Sequence, residues 1–165
     1  MTPPNRHTYL SLGTNLGDRL ANLLNAVAAL PPLVEPLAAS PIYETKPWGY
    51  SDQPAYLNQV LHAVTTLEPL ALLAHLKILE TRLGRLPSFR YGPRKIDMDI
   101  LFYDEIILET PALAIPHPRL AERAFVLVPL ADLAPDLRHP VLGKTIQQLL
   151  SAIDRQGVNL YPATG

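Results

Sequence analysis

Stretches with the spacing of amphipathic helices alternate with stretches that have the period of strands, and this order constrains the fold more than any other feature. We predict strands over residues 7–12, within 37–43, over 56–66 and over 95–103. One helix follows Asp18 and stops at Pro31, and another runs from Pro69 to Gly84. Their apolar stripes comprise Leu20, Leu23, Val27 and Leu30 in the first, and Leu72, Leu73, Leu76, Leu79 and Leu83 in the second. The order strand-helix-strand-strand-helix-strand is typical of the ferredoxin-like α+β class, in which helices pack on one face of an antiparallel sheet.

The last third of the chain is predicted to form a C-terminal extension of this core. We expect a short helix after Pro118, strand-like pieces around residues 125–128 and a helix near residues 145–153. The sequence contains neither an internal repeat nor a linker, and 165 residues is the size of one ordinary domain. We therefore expect a single domain over residues 1–165.

Composition excludes several classes of protein. The chain has no cysteine, which excludes disulfides, thiolate metal sites and thiol nucleophiles. Its net charge of -1 provides no overall attraction to nucleic acid or to an anionic membrane, and no apolar run approaches the length of a membrane span. We expect a cytoplasmic monomer with small-molecule substrates and with neither nucleic acid nor membrane as a partner.

The segment YGPRKIDMDI, residues 91–100, carries the clearest chemical signal. Because alternate residues of a strand share a face, Asp97 and Asp99 point together to one side. The opposite side, toward the core, is predicted to hold Ile96, Met98, Ile100 and Phe102. Paired carboxylates on a rigid strand suit Mg²⁺, although acidic residues also protect an edge strand from aggregation. Four Arg and one Lys between residues 82 and 95, without an acidic residue, favour a metal site beside a phosphate clamp.

Three further patterns are less specific: two of them each have two interpretations, and the third does not match its motif. Tyr56 and Asn58 share a strand face and suit a flat heterocycle, but a cross-strand aromatic contact gives the same pattern. His117 lies between two prolines, where it either donates to a phosphate or caps a turn. Gly143-Lys144-Thr145 looks like the end of a phosphate-binding loop, but Arg138 stands where that motif requires glycine.

Taken in order, these motifs resemble those of the pterin pyrophosphokinases of folate synthesis. The resemblance runs from Tyr9 to about Ile153 and is most specific in GPRKIDMD, residues 92–99. The other matching segments are LGTNLGD at 12–18, YET at 43–45, QPAYLN at 53–58, Glu80, GR at 84–85, IPHPR at 115–119 and RAFVL at 123–127.

The resemblance implies transfer of the β,γ-pyrophosphoryl group of ATP to the hydroxymethyl oxygen of 6-hydroxymethyl-7,8-dihydropterin, with release of AMP. It implies that Asp97 and Asp99 bind two Mg²⁺ ions and act in catalysis with Arg85 and Arg94. ATP would be contacted by Glu80, Arg94, Ile100, His117 and Arg123. The pterin would be held by Gly13, Thr45, Trp48, Tyr56, Asn58 and Phe125. The loops over residues 45–54 and 85–93 would close over the site.

Two other functions fit some of the same residues. A metal-dependent phosphohydrolase would use Asp97 and Asp99 to activate water, and it would release phosphate from ATP without a pterin. A non-catalytic nucleotide- or RNA-binding module would use the ferredoxin-like sheet itself. Paired aspartates would repel an RNA backbone, which weighs against the RNA-binding alternative.

Overall fold

The computed structural model describes residues 4–46, 52–84 and 94–162. Its main sheet has the strand order β5-β1-β4-β3-β8, with β2 paired to the same edge of β4 as β3. The strands are β1 (Arg6–Thr14), β2 (Val34–Ala39), β3 (Tyr43–Thr45), β4 (Tyr56–Thr65), β5 (Asp97–Tyr103) and β8 (Val158–Leu160). A separate two-stranded ribbon is formed by β6 (Leu108–Glu109) and β7 (Ala114–Ile115).

The pairing of the main strands is antiparallel throughout, which confirms the α+β, ferredoxin-like prediction. The predicted strand within residues 37–43 is instead two strands, β2 and β3, that pair with successive parts of β4. They are separated at Ser40, whose hydroxyl accepts a hydrogen bond from Val60 N (3.0 Å) and so takes over one ladder contact. Thr45, predicted to open a loop, is the last residue of β3.

The first face of the sheet is covered by α1 (Arg19–Ala29) and α2 (Pro69–Arg82), as predicted. The Asp18 side chain accepts a hydrogen bond from Ala21 N, which caps the start of α1. The core between this face and the helices includes Leu10 and Leu12 from β1, Leu61 from β4 and Leu76 from α2. Burial of these side chains fixes which residues of each strand face the helices, and it directs the alternate residues to the second face.

The second face is covered by the predicted C-terminal extension, which adds a layer of helices opposite α1 and α2. The covering elements are a 3-10 helix (Leu120–Glu122), α3 (Ala124–Leu133) and α4 (Ile146–Ser151). The predicted strand-like pieces at residues 125–128 are part of α3. Val126 to Leu130 are buried in succession, and a run that is apolar on every side does not reveal its period. The predicted helices after Pro118 and near residues 145–153 are confirmed.

A β-bulge in β5 changes which residues share a face. Tyr9 pairs with Phe102 and Leu10 pairs with Ile100, so Leu101 is an extra residue in the ladder. Met98 and Ile100 therefore face the first core, whereas Phe102 faces the second. The prediction that Phe102 shares the face of Met98 was wrong, because strict alternation does not continue through a bulge.

Among the described residues, no helix combines the length and apolar character needed to cross a membrane.

Candidate active site

A cavity of about 360 Å³ opens between the second face of the sheet and the start of α3. It is lined from the sheet by Ser11, Gly13, Thr45, Lys46, Tyr56, Asn58, Asp97, Asp99 and Leu101, and from the other side by Arg94, His117, Arg123, Phe125 and Val126. Apolar rings, an amide, carboxylates and cationic groups therefore surround one space.

The strand register determines how the floor of this cavity is assembled. Gly13 on the central β1 lies opposite Asn58 on β4 and opposite Asp97 on β5. A β-carbon on Gly13 would lie 3.3 Å from Asn58 Oδ1 and 3.7 Å from Tyr56 Cδ1. Glycine at this position thus keeps the floor open between the amide side of the cavity and the carboxylate side.

The carboxylate side holds Asp97 and Asp99. Burial, and then the charge of Asp97, raise the pKa of Asp99 from 3.8 to about 7, while Lys77 acts in the opposite direction. The two carboxylates line the same cavity and repel each other, and a bound cation would relieve that repulsion. Oxygen ligands of this kind are those that Mg²⁺ prefers, so the residues present fit the metal implied by the sequence.

His117 presents a neutral imidazole to the cavity. Burial, followed by the charge of Arg123, lowers its pKa to about 4. Its Nδ1 accepts a hydrogen bond from Arg119 N (3.1 Å), and its own backbone N donates to Leu101 O (3.0 Å). With Nδ1 occupied as an acceptor, the proton of the neutral ring is on Nε2. His117 thus caps a turn, one of the two roles that the sequence left open, and its donation to a phosphate stays a prediction.

The amide side of the cavity is fixed by a buried hydrogen bond. Asn58, only 5% exposed, donates from Nδ2 to Thr45 Oγ1 (2.7 Å). This bond orients the carboxamide and leaves its Oδ1 beside Gly13. Tyr56 and Phe125 line the same cavity from the sheet and from α3, and the Arg123 guanidinium lies 5.6 Å from the centre of the Phe125 ring.

The structure brings together ten of the fourteen predicted site residues on one cavity: Gly13, Thr45, Tyr56, Asn58, Arg94, Asp97, Asp99, His117, Arg123 and Phe125. Glu80 and Ile100 do not line it; their exposed fractions are 1% and 3%. Trp48 and Arg85, like most of the two predicted loops, lie outside the described residues.

Four residues of the lining were missed by sequence reasoning: Ser11, Lys46, Leu101 and Val126. Strand alternation signals the first, because Ser11 precedes Gly13 by two residues and lies opposite Asp99. Alternation from Asp99 also reaches Leu101. Lys46 follows the last residue of a strand, and Val126 lies on a helix that was read as strand, so neither carried a usable signal.

Asn15 supports the site from behind and was also missed. Its side chain is 1% exposed and accepts a hydrogen bond from Arg94 N (2.8 Å), while Asn15 N donates to Arg94 O (2.9 Å). Its Nδ2 donates to Gln53 Oε1 (2.8 Å) and to Pro54 O (3.0 Å). Asn15 therefore ties the segment that precedes Tyr56 to the segment that precedes Asp97.

Known proteins share this architecture. A crystal structure of Plasmodium falciparum HPPK-DHPS superposes with a TM-score of 0.74 over 96% of this chain and 49% of that chain. A second structure of Plasmodium falciparum HPPK-DHPS, with pterin and p-hydroxybenzoate, gives a TM-score of 0.73 over 91% of this chain and 44% of that chain. The sequence identity is 18% in both cases, so these likenesses show the fold alone.

Sequence comparison is more specific. The Pseudomonas aeruginosa 2-amino-4-hydroxy-6-hydroxymethyldihydropteridine pyrophosphokinase is 42% identical over 159 residues, which are 95% of this chain and 98% of that protein. The folic acid synthesis protein fol1 of Schizosaccharomyces pombe is 40% identical over 95% of this chain, which spans only 22% of that longer protein. The family model described as 7,8-dihydro-6-hydroxymethylpterin-pyrophosphokinase (HPPK) matches residues 9–135. Since that match covers most of the chain, the chain belongs to the 7,8-dihydro-6-hydroxymethylpterin-pyrophosphokinase family.

Proposed function

We propose that this chain transfers the β,γ-pyrophosphoryl group of ATP to the hydroxymethyl oxygen of 6-hydroxymethyl-7,8-dihydropterin. The oxygen attacks the β-phosphorus, the bond between that phosphorus and the α,β-bridging oxygen breaks, and AMP leaves. The observation that carries the proposal is that one cavity is lined on one side by two aromatic rings and a carboxamide, and on the other by paired carboxylates and cationic groups. Membership of the family supports the same reaction.

The carboxylate side is proposed to receive the triphosphate. Asp97 and Asp99 would hold two Mg²⁺ ions, which when bound neutralise phosphate charge and lower the pKa of the attacking hydroxyl. Arg94 and Arg123 face the same space and would contact phosphate oxygens. His117 would donate from Nε2 to a phosphate oxygen, and as a neutral donor it performs this role throughout the neutral pH range. Phosphoryl-type transfer needs chiefly positioning and charge neutralisation, and these groups supply both.

The other side is proposed to receive the pterin. The rings of Tyr56 and Phe125 would stack on the two faces of the bicycle. Asn58 would read the pterin edge through its Oδ1, because Thr45 already accepts from its Nδ2. Gly13 leaves room for the hydroxymethyl group to reach the carboxylates across the floor. Trp48 and Arg85 are proposed to complete the pterin and phosphate contacts, on the basis of the sequence resemblance.

The products of a single reaction test this proposal. Purified protein is mixed with ATP, Mg²⁺ and 6-hydroxymethyl-7,8-dihydropterin, and the nucleotides are separated by chromatography. AMP that forms only when the pterin is present supports pyrophosphoryl transfer. ADP would indicate single phosphoryl transfer, and phosphate released without pterin would indicate the phosphohydrolase; either result contradicts the proposal.

Two variants assign the activity to this cavity. Asp97→Ala is expected to remove most turnover and to leave the fold intact, because its side chain faces the cavity rather than a core. The matched control is Asp136→Asn, which changes an exposed carboxylate on the surface. Near-normal turnover in Asp97→Ala would contradict the metal assignment.

A further inference from the structure

The free edge of β5 carries an unusual contact for a strand that bears functional carboxylates. In the described part of the sheet β5 is an edge strand that pairs only with β1. Amides that point away from β1 therefore need a partner outside the sheet. Met98 N, in the peptide segment between Asp97 and Asp99, donates to Glu80 Oε2 on α2 at 2.7 Å.

Glu80 lies where a leucine would continue the core stripe of α2. The buried residues of this helix are Leu72, Leu76, Leu79 and Glu80, which is the spacing of one apolar face. Glu80 is 1% exposed, and its second oxygen lies 3.4 Å from Lys77 Nζ, whose side chain is half exposed. A buried carboxylate at a core position costs free energy unless its hydrogen bonds and ion pair offset the loss of hydration.

The position of Glu80 increases the electrostatic cost further. Its charge adds to the repulsion that Asp99 already experiences from burial and from Asp97. A glutamine would accept the same hydrogen bond without this repulsion. The charged residue nevertheless occupies the position, and a charge-assisted hydrogen bond is about twice as strong as a neutral one. The contact therefore holds the Met98 peptide more firmly than a neutral acceptor would.

We propose that Glu80 is a positioning residue. By holding Met98 N at the free edge of β5, it fixes the spacing and direction of the Asp97 and Asp99 carboxylates that receive the cations. Glu80 acts through the strand and does not contact the nucleotide, which differs from the role that the sequence resemblance implies. This inference rests on the proposed function, since it assigns a support for the same metal site.

Two substitutions separate positioning from direct contact. Glu80→Ala removes the acceptor, whereas Glu80→Gln keeps an acceptor oxygen and removes the charge. Lys77→Met is the matched control, because it removes the ion-pair partner and leaves the hydrogen bond to Met98 in place. The readouts are the Mg²⁺ dependence of binding of a non-hydrolysable ATP analogue, measured by calorimetry, and hydrogen exchange of the Met98 amide, measured by NMR.

We expect Glu80→Ala to reduce the gain in ATP-analogue affinity that Mg²⁺ produces by about ten-fold or more, as for other residues that orient metal ligands. Its Met98 amide should exchange faster, while analogue binding without Mg²⁺ stays unchanged. Glu80→Gln should retain most of the Mg²⁺ dependence and of the amide protection, and Lys77→Met should be close to the unaltered protein. These results would support positioning.

Other outcomes overturn the inference. If Glu80→Gln loses as much Mg²⁺-dependent binding as Glu80→Ala, the charge itself acts on metal or nucleotide. If Glu80→Ala leaves both readouts unchanged, the contact has no positioning role. Should the alanine variant fail to fold, Glu80→Leu, which fills the core position without an acceptor oxygen, replaces it in the same two readouts. Absence of Mg²⁺-dependent binding in the unaltered protein would instead contradict the proposed function. Hydrogen exchange of the Met98 amide does not depend on that function, so it tests the Glu80 contact separately.

Discussion

Asp99→Asn is expected to stabilise the metal-free protein while it removes a proposed metal ligand. The pKa of Asp99 is raised from 3.8 to about 7, first by burial and then by Asp97. The folded state thus holds this proton more tightly than the unfolded state, so ionisation opposes folding. The cost is absent below the unfolded pKa, increases from pH 3.8 to about pH 7, and is constant above that.

The raised pKa gives the size of the effect. A shift of about three units corresponds to a cost of about 4 kcal/mol at alkaline pH, at roughly 1.4 kcal/mol per unit. Water in the open cavity reduces this cost, and we expect a gain of about 2 kcal/mol in the free energy of unfolding of Asp99→Asn. For a chain of this length that gain corresponds to a rise in Tm of about 4 to 8 °C.

The assay is urea unfolding of both proteins in the presence of a metal chelator, repeated at pH values from 3.8 to above 7, the range in which ionisation of Asp99 opposes folding. The gain should vanish at the acid end and reach its full size above pH 7. Mg²⁺ should then stabilise the unaltered protein more than the variant. Asp136→Asn, which changes an exposed carboxylate, is the matched control. A gain that is equal at all pH values, or a loss of stability, would refute the reasoning.

Three further changes test other parts of the cavity. Tyr56→Ala should raise the pterin KM by about ten-fold through lost stacking and the ATP KM far less; equal effects in steady-state kinetics would contradict the stacking role. Gly13→Ala would place a β-carbon 3.3 Å from Asn58 Oδ1. Pterin affinity, measured by calorimetry, should therefore fall, while binding of an ATP analogue is retained. An unchanged pterin affinity would contradict the idea that glycine keeps the cavity floor open. The pKa of His117 is lowered to about 4, first by burial and then by Arg123, so its neutral form contributes stability that is lost as pH falls from 6.5 to 4. In acid unfolding experiments, His117→Asn should reduce this loss of stability by at most about 3 kcal/mol. A pH profile identical to that of the unaltered protein would exclude His117 as the cause.

Hydrophobic periodicity and the positions of proline and glycine in the first two-thirds of the chain were sufficient to predict most of the fold. The start of α2 at Pro69 and the end of β4 near Thr65 follow from helix and strand signals that tertiary structure did not override. The convergence of Asp97 with Gly13 and Asn58 required more than periodicity, because it depends on the pairing of β1 with both neighbours. Motif resemblance supplied that long-range information.

The features that were missed share a physical cause, which is that they depend on what packs above the sheet. Residues 126–130 of α3 are buried in succession, so the helical period in this run left no polar face to detect. The hydrogen bond that Glu80 accepts from a backbone amide of a distant strand was also missed, whereas the nucleotide contact that the resemblance implies for Glu80 stays a prediction. A contact of this kind has no local signature, because the helix position would accept a leucine equally well.

The bulge at Leu101 explains how one short strand tolerates repelling carboxylates. At Leu101, two residues after Asp99, the strand changes phase. Phe102 therefore packs into the second core, while the Tyr103 hydroxyl donates to Leu67 O (2.6 Å) on the first side. Both faces thus anchor the C-terminal end of β5, and Glu80 holds its free edge between the aspartates. A strand held on two faces and at one edge cannot relax to separate Asp97 from Asp99. The repulsion is therefore retained in the folded protein, and binding of the proposed cations would recover the free energy that folding has stored there.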